Sequence, residues 1–137
     1  MKQMCMALLS ALVLASCAGP DFARNDRPGS PLIGNWGGAH VTLTLTDSGG
    51  RIEYDCASGT LDAAIRPDAD GAFSVNGHHV SEHGGPVRVG EVPDTSPAVY
   101  VGTAAGGRMT LRIRTGQTTL GPFVLTRDAP AQLLKCL

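Results

Sequence analysis

His40-Val41-Thr42-Leu43-Thr44-Leu45-Thr46 decides the fold of this chain. Apolar Val41, Leu43 and Leu45 alternate with polar Thr42, Thr44 and Thr46. A period of two sends one set to an apolar interior and the other to water, so the stretch reads as a strand with one buried face. Asp47-Ser48-Gly49-Gly50 follows and supplies turn residues. Residues 51–56 then alternate again, with Ile52, Tyr54 and Cys56 inward and Arg51, Glu53 and Asp55 outward. Two alternating runs joined by a tight turn form an antiparallel hairpin.

Outward from this hairpin the pattern repeats. Leu32-Ile33-Gly34-Asn35-Trp36 precedes it and opens the domain. After Ser58-Gly59, the residues Leu61, Ala63 and Ile65 predict a further strand. Pro67-Asp68-Ala69-Asp70-Gly71 turns the chain into another, marked by Phe73 and Val75. Residues 76–97 are less regular, and short strands are expected near residues 79–82 and 87–89. Regularity returns at residues 98–103. In residues 108–114, Met109, Leu111 and Ile113 alternate with Arg108, Thr110, Arg112 and Arg114. Residues 118–126 form the last long strand, with a bulge or bend at Gly121-Pro122. Residues 132–137 add a terminal strand or pack as a tail.

Each strand has one apolar face, so the strands must share one enclosed interior. The expected fold class is all-β: a small antiparallel up-and-down barrel of about eight strands, which removes exposed edges. A two-sheet sandwich is the alternative. An eight-stranded barrel has an interior that side chains fill or that holds one small ligand. Trp36, at a strand entrance, is expected to plug one end.

The N-terminus carries a different signal. Residues 1–13 form a leader with Lys2 at its start, and residues 6–15 are apolar apart from Ser10. That run is too short to span a bilayer, which needs about 20 residues, and suits a signal-peptide core. Leu14-Ala15-Ser16-Cys17 closes it and resembles the lipobox of bacterial lipoproteins. The resemblance implies that residues 1–16 are removed and that Cys17 becomes the lipidated N-terminus, carrying palmitate among its acyl chains. More than one chain anchors stably to a membrane. Ala18, rather than Asp, after the cysteine implies the outer membrane, with the domain facing the periplasm. The alternative is ordinary secretion, with cleavage after Ser16-Cys17-Ala18. Residues 17–31 are rich in Gly and Pro without apolar period and read as a flexible tether, with a mean span of roughly 20 Å. Residues 32–137 form the barrel domain.

Export also bears on the cysteines. Cys5 leaves with the leader and Cys17 takes the lipid, so Cys56 and Cys136 remain, an even pair in an oxidising compartment. They are expected to form a disulfide that closes the barrel, worth about 4.5 kcal/mol in the chain-entropy account. Two separate buried thiols are the alternative. The mature chain has ten basic and twelve acidic residues, a net charge of −2. That balance, with few aromatics, argues against nucleic acid as a partner.

Gly34-Asn35-Trp36 ahead of the strand meander resembles the Gly-x-Trp opening of lipocalin-type barrels. Residues 52–59, Gly84-Gly85-Pro86-Val87-Arg88, Met109-Thr110-Leu111 and Lys135-Cys136-Leu137 resemble a group of small exported bacterial proteins. That likeness covers residues 36–137 and implies no activity. Tyr54-Asp55-Cys56-Ala57-Ser58-Gly59 is similar to the early Tyr-x-Cys segment of membrane-bound C-type lysozyme inhibitors, which are lipoprotein barrels with a disulfide. Their inhibitory serine and lysine motifs are not matched, and Lys135 is the one mature lysine.

His78, His79 and His83 are the candidate binding residues, placed on a loop. Three imidazoles within six positions suit zinc or copper, but adjacent strand residues point to opposite faces and no cysteine or carboxylate set completes a known spacing. No metal and no cofactor is therefore expected. Ser81, Glu82 and His83 are consecutive and do not converge as a triad must. Glu53 and Asp55 read as solvated surface acids. Arg108, Arg112 and Arg114 form an exposed basic row that either docks an anionic partner or simply solubilises a strand. These readings predict a membrane-anchored envelope protein that binds rather than catalyses. Its expected ligand is a small apolar molecule inside the barrel, where Ala63, Ala98 and Gly102 leave space. The alternative is an envelope protein–protein module, such as a lysozyme or protease inhibitor, acting through residues 76–97.

Overall fold

In a computed structural model, the alternating runs form eight antiparallel strands; residues 27–134 and 136 are described. Cys17, the leader and most of the tether lie outside them. The strands are β1 (Gly34–Gly38), β2 (Val41–Leu45), β3 (Gly50–Tyr54), β4 (Ala57–Leu61), β5 (Ala72–Ser81), β6 (Asp94–Ala105), β7 (Arg108–Thr115) and β8 (Thr118–Arg127). Each pairs with its neighbour in sequence, and β8 returns to β1 through Trp36 with Arg127 and Gly37 with Thr126. The barrel is closed and all-β, as the alternation predicts. It encloses its own core and finds every strand partner among the described residues.

Tight turns follow from residues that tolerate positive φ. Gly106 and Gly107, at φ 57° and 75°, link β6 to β7, as a right-handed sheet twist requires of a two-residue hairpin turn. The lower end is sealed by a strap and a link. Leu32 N–H donates to Ile65 O at 2.9 Å and Gly29 N–H to Pro67 O at 2.7 Å. Arg66 Nη1 donates to Gly29 O at 3.0 Å. The end of the stretch read as tether is thus bonded to the barrel. Trp36 is buried in this half, with the Arg127 guanidinium 4.5 Å from its ring centroid. Its Nε1 is the one buried side-chain polar atom without a hydrogen-bond partner among the described residues.

The interior is filled by Val41, Leu43, Ile52, Met109, Leu111, Ile113 and Leu125, all essentially inaccessible. Tyr100 is equally buried, and its hydroxyl donates to His78 O at 2.7 Å. Its ring lies against Gly77 and Gly59. A Cβ at Gly77 would sit 2.9 Å from Tyr100 Cε2 and collide with Thr60 O, and one at Gly59 would collide with the Tyr100 hydroxyl.

Several local expectations are corrected. The strand after the first hairpin is β4, with Ala57, Gly59 and Leu61 inward; it stops at Leu61. Residues 62–71 are a link, so Ala63 is exposed, while Ile65 and Pro67 are buried and seal the end. Residues 87–89 form no strand but belong to a projecting loop, residues 82–93. Cys56 lies in the β3–β4 turn at φ 58°, not on the inner face of a strand. It is bonded to Cys136 with Cα atoms 5.1 Å apart. The segment after β8 gets there by running parallel to the β1–β2 turn. His40 N–H donates to Gln132 O at 2.8 Å, and Leu134 N–H to Asp55 Oδ1 at 2.7 Å.

Gly77→Ala tests this packing. The added methyl must push apart a strand backbone and the Tyr100 ring, so urea unfolding is expected to show a loss of about 1–3 kcal/mol. Unchanged stability would show that Tyr100 does not need the glycine.

Candidate functional site

One end of the barrel is open. The β3–β4 turn, the upper ends of β5 to β8 and His40 of the β1–β2 turn frame a cavity of about 680 Å³. Its apolar wall is Tyr54, Ala57, Leu120 and Phe123, and its rim carries hydroxyls from Ser81, Ser96, Thr115 and Thr118. Cys56 of the disulfide lies in the wall.

A register change in β8 builds this wall. Leu111 pairs with Phe123 while Ile113 pairs with Leu120, so two residues of β8 oppose one of β7. The extra residue falls at Gly121-Pro122, joined by a cis peptide. It shifts the parity of the strand, so that Leu120 and Phe123 both face inward. Without it, one of the two would face solvent.

The three candidate histidines do not come together. His78 and His79 belong to β5, not to a loop, and face opposite sides of the sheet. His78 points out, with Nδ1 3.3 Å from Asp62 Oδ1. His83 stands on the projecting loop, where its Nε2 meets Glu91 and its Nδ1 lies 3.0 Å from Gly84 O. Only His79 lines the cavity. No group of three or more His, Cys, Asp or Glu is placed to hold a metal ion among the described residues.

His79 stacks on Tyr54, with ring centroids 5.6 Å apart. Its Nδ1 is hydrogen-bonded to the Tyr54 hydroxyl, and its Nε2 lies 3.2 Å from Ser81 Oγ. The Tyr54 hydroxyl also lies 3.5 Å from Ser58 O. The chain Tyr54–His79–Ser81 thus runs from the cavity wall to a hydroxyl on its rim.

Burial lowers the pKa of His79 below its ordinary value, partly offset by Asp94. Burial, reinforced by neighbouring Tyr100, raises that of Tyr54. Tyr100 itself is pushed up to about 12, mainly by burial. Near neutral pH the cavity thus presents a neutral imidazole at His79 and a neutral phenol at Tyr54. On the opposite rim His40 Nδ1 is 2.5 Å from Asp55 Oδ2, which also accepts from Leu134 N–H through its other oxygen.

Sequence reasoning singled out His79 but not Tyr54, Leu120, Phe123 or Ser96. The bulge expected at Gly121-Pro122 was the signal for Leu120 and Phe123, since a bulge reverses the facing of everything beyond it. Comparison with protein families, with curated proteins and with solved structures finds no match to this chain.

A histidine whose folded-state pKa is depressed binds fewer protons folded than unfolded, so stability falls as pH drops through the unfolded value near 6.5. His83 is shifted up by Gly84 O and Glu91, so its contribution is present at acid pH and lost as pH rises. Replacing His79 separates the two. The wild type is expected to lose more thermal stability between pH 8 and pH 5 than His79→Asn, and equal losses would show that His79 is not protected from protonation.

Proposed function

We propose that this chain is a bacterial envelope lipoprotein, anchored through Cys17 in the outer membrane and facing the periplasm, whose barrel mouth binds a small, largely apolar and uncharged molecule. The observation that carries the binding reading is the open cavity between Tyr54, Phe123, Leu120 and the hydroxyl rim. Its volume falls within the range of small-molecule sites, and its composition of apolar walls with a few polar groups is typical of them. The remaining interior is packed, and Gly102 makes room for Phe73 rather than for a ligand. The ligand therefore belongs at the mouth instead of the barrel centre. Among the described residues no lysine or arginine lines that mouth, and its one acid is Asp55, beside His40. Among those residues a carboxylate or phosphate would be desolvated without a lysine or arginine partner, which disfavours free fatty acids and phospholipid headgroups.

Native mass spectrometry of the protein purified from its own envelope tests this. The expected spectrum contains a complex heavier by one small molecule, and Ser96→Trp, which fills the mouth, should lose it. A clean protein mass in both would overturn the reading.

One observation favours a second reading, an envelope protein–protein module. The projecting loop exposes Val87, Val89 and Val92 at 78%, 108% and 85%. It is braced from within by Glu91, which meets His83 and accepts from Arg88 N–H at 2.9 Å. Exposed apolar side chains on a loop of a rigid scaffold suit a protein contact. If so, deleting residues 83–92 should abolish capture of an envelope protein while leaving the ligand mass in place. Capture by the deletion variant would discard this reading.

A further inference from the structure

Charge is segregated along this chain. Residues 40–94 contain nine acidic and three basic residues, whereas residues 95–127 contain four basic residues and no acid. The second stretch is β6, β7 and β8, which are neighbours in the barrel. Segregation in sequence thus becomes a basic side in three dimensions. Asp94 and Asp128 stand at its ends, and two acids border it, Asp70 beside Arg108 and Asp62 beside Arg114.

Arg108, Arg112 and Arg114 are exposed on the outer face of β7. None makes an ion pair among the described residues. The row spans roughly 20 Å at the rise of a strand. Across the strand pairs, Val99 lies beside Arg114, Val101 beside Arg112 and Val124 beside Thr110. Val124 is 49% exposed. The face therefore interleaves unpaired guanidinium groups with apolar side chains.

We propose that the outer face of β6–β8 docks side-on to an anionic phospholipid surface, with Arg108, Arg112 and Arg114 on headgroup phosphates and the valines against the apolar layer beneath. Guanidinium pairs well with phosphate and is weakly hydrated. The valines separate a lipid surface from a soluble polyanion, which offers charge without an apolar layer. Nucleic-acid and glycan surfaces would call for outward aromatic side chains, and the aromatics of these strands, Tyr100 and Phe123, face inward. Docked this way, the barrel axis lies near the membrane plane and the mouth opens along the surface. The inference is independent of ligand binding and of lipidation at Cys17.

The test uses the self-contained barrel, residues 27–137, without its lipid. It is mixed with vesicles of phosphatidylcholine alone or of phosphatidylcholine and phosphatidylglycerol in equal parts, and sedimented. Binding is expected only to the anionic vesicles and should weaken as salt rises. Each arginine contributes about fivefold, so the triple variant Arg108→Gln, Arg112→Gln, Arg114→Gln should bind roughly a hundredfold more weakly. The triple Arg→Lys variant should retain binding, and Arg51→Gln, on the acidic side, should bind like the wild type. Melting curves confirm that each variant is folded, and the single variant Arg112→Gln replaces the triple if that one is not. Equal binding to both vesicle types, or undiminished binding by the glutamine variants, would overturn the proposal. Retention on immobilised heparin without vesicle binding would do so too, by assigning the face to a soluble polyanion.

Discussion

The barrel is organised around Tyr100. Its ring is buried against the inner wall where Gly77 and Gly59 leave no side chain, and its hydroxyl donates to His78 O. A buried phenol is tolerable only when its polar end is bonded, and this one is bonded to a strand carbonyl. The two glycines weaken β4 and β5 locally, since glycine forms strands poorly. The ring offsets that by filling the volume they vacate. Below it the interior is solid with aliphatic side chains together with Trp36 and Phe73. Tyr54, the next aromatic toward the mouth, is already at the cavity wall.

A second constraint holds the open end. An open barrel end has no layer of side chains to close it, so its turns need tying. Here the segment after β8 follows the β1–β2 turn through Gln132, gives Leu134 N–H to Asp55 and is bonded at Cys136 to the β3–β4 turn. Gly37 makes this possible, because a Cβ there would collide with Ala129 O. The same tie lies in the cavity wall through Cys56 and Asp55. Stabilising the fold and shaping the site are therefore one arrangement at this end.

Much of this was legible in the sequence. Period-two alternation in β2, β3 and β7 placed Val41, Leu43, Ile52, Leu111 and Ile113 correctly, and the Cys56–Cys136 pairing followed from the cysteine count. Alternation failed where facing is set by tertiary contact. Ala63 continues the apolar period from Leu61, yet the chain leaves the sheet there because Ile65 is needed at the lower seal. Cys56 keeps the inward parity of Ile52 and Tyr54 but sits in a turn, since Tyr54 pairs with Ala57 and leaves two residues for the connection. The histidines were read as one loop cluster because β5 extends further than its few apolar residues suggest. His78 and His79 are held in the sheet by pairing with Pro97 and Ser96 on β6.

The site and the basic face follow from the same property of a closed sheet, that each residue must face in or out. On β8 one extra residue at Gly121-Pro122 turns both Leu120 and Phe123 inward, giving the mouth an apolar wall. On β7, which has no extra residue, the arginines keep strict parity and all remain outside. The two features are therefore mutually exclusive on any one stretch of strand, and they occupy adjacent strands with opposite chemistry. The neutral ligand proposed for the mouth and the anionic surface proposed for the outer face make no competing demand on the same side chains. The arginines of the outer face are likewise kept apart from most of the acids, since residues 95–127 carry four basic residues and no acid.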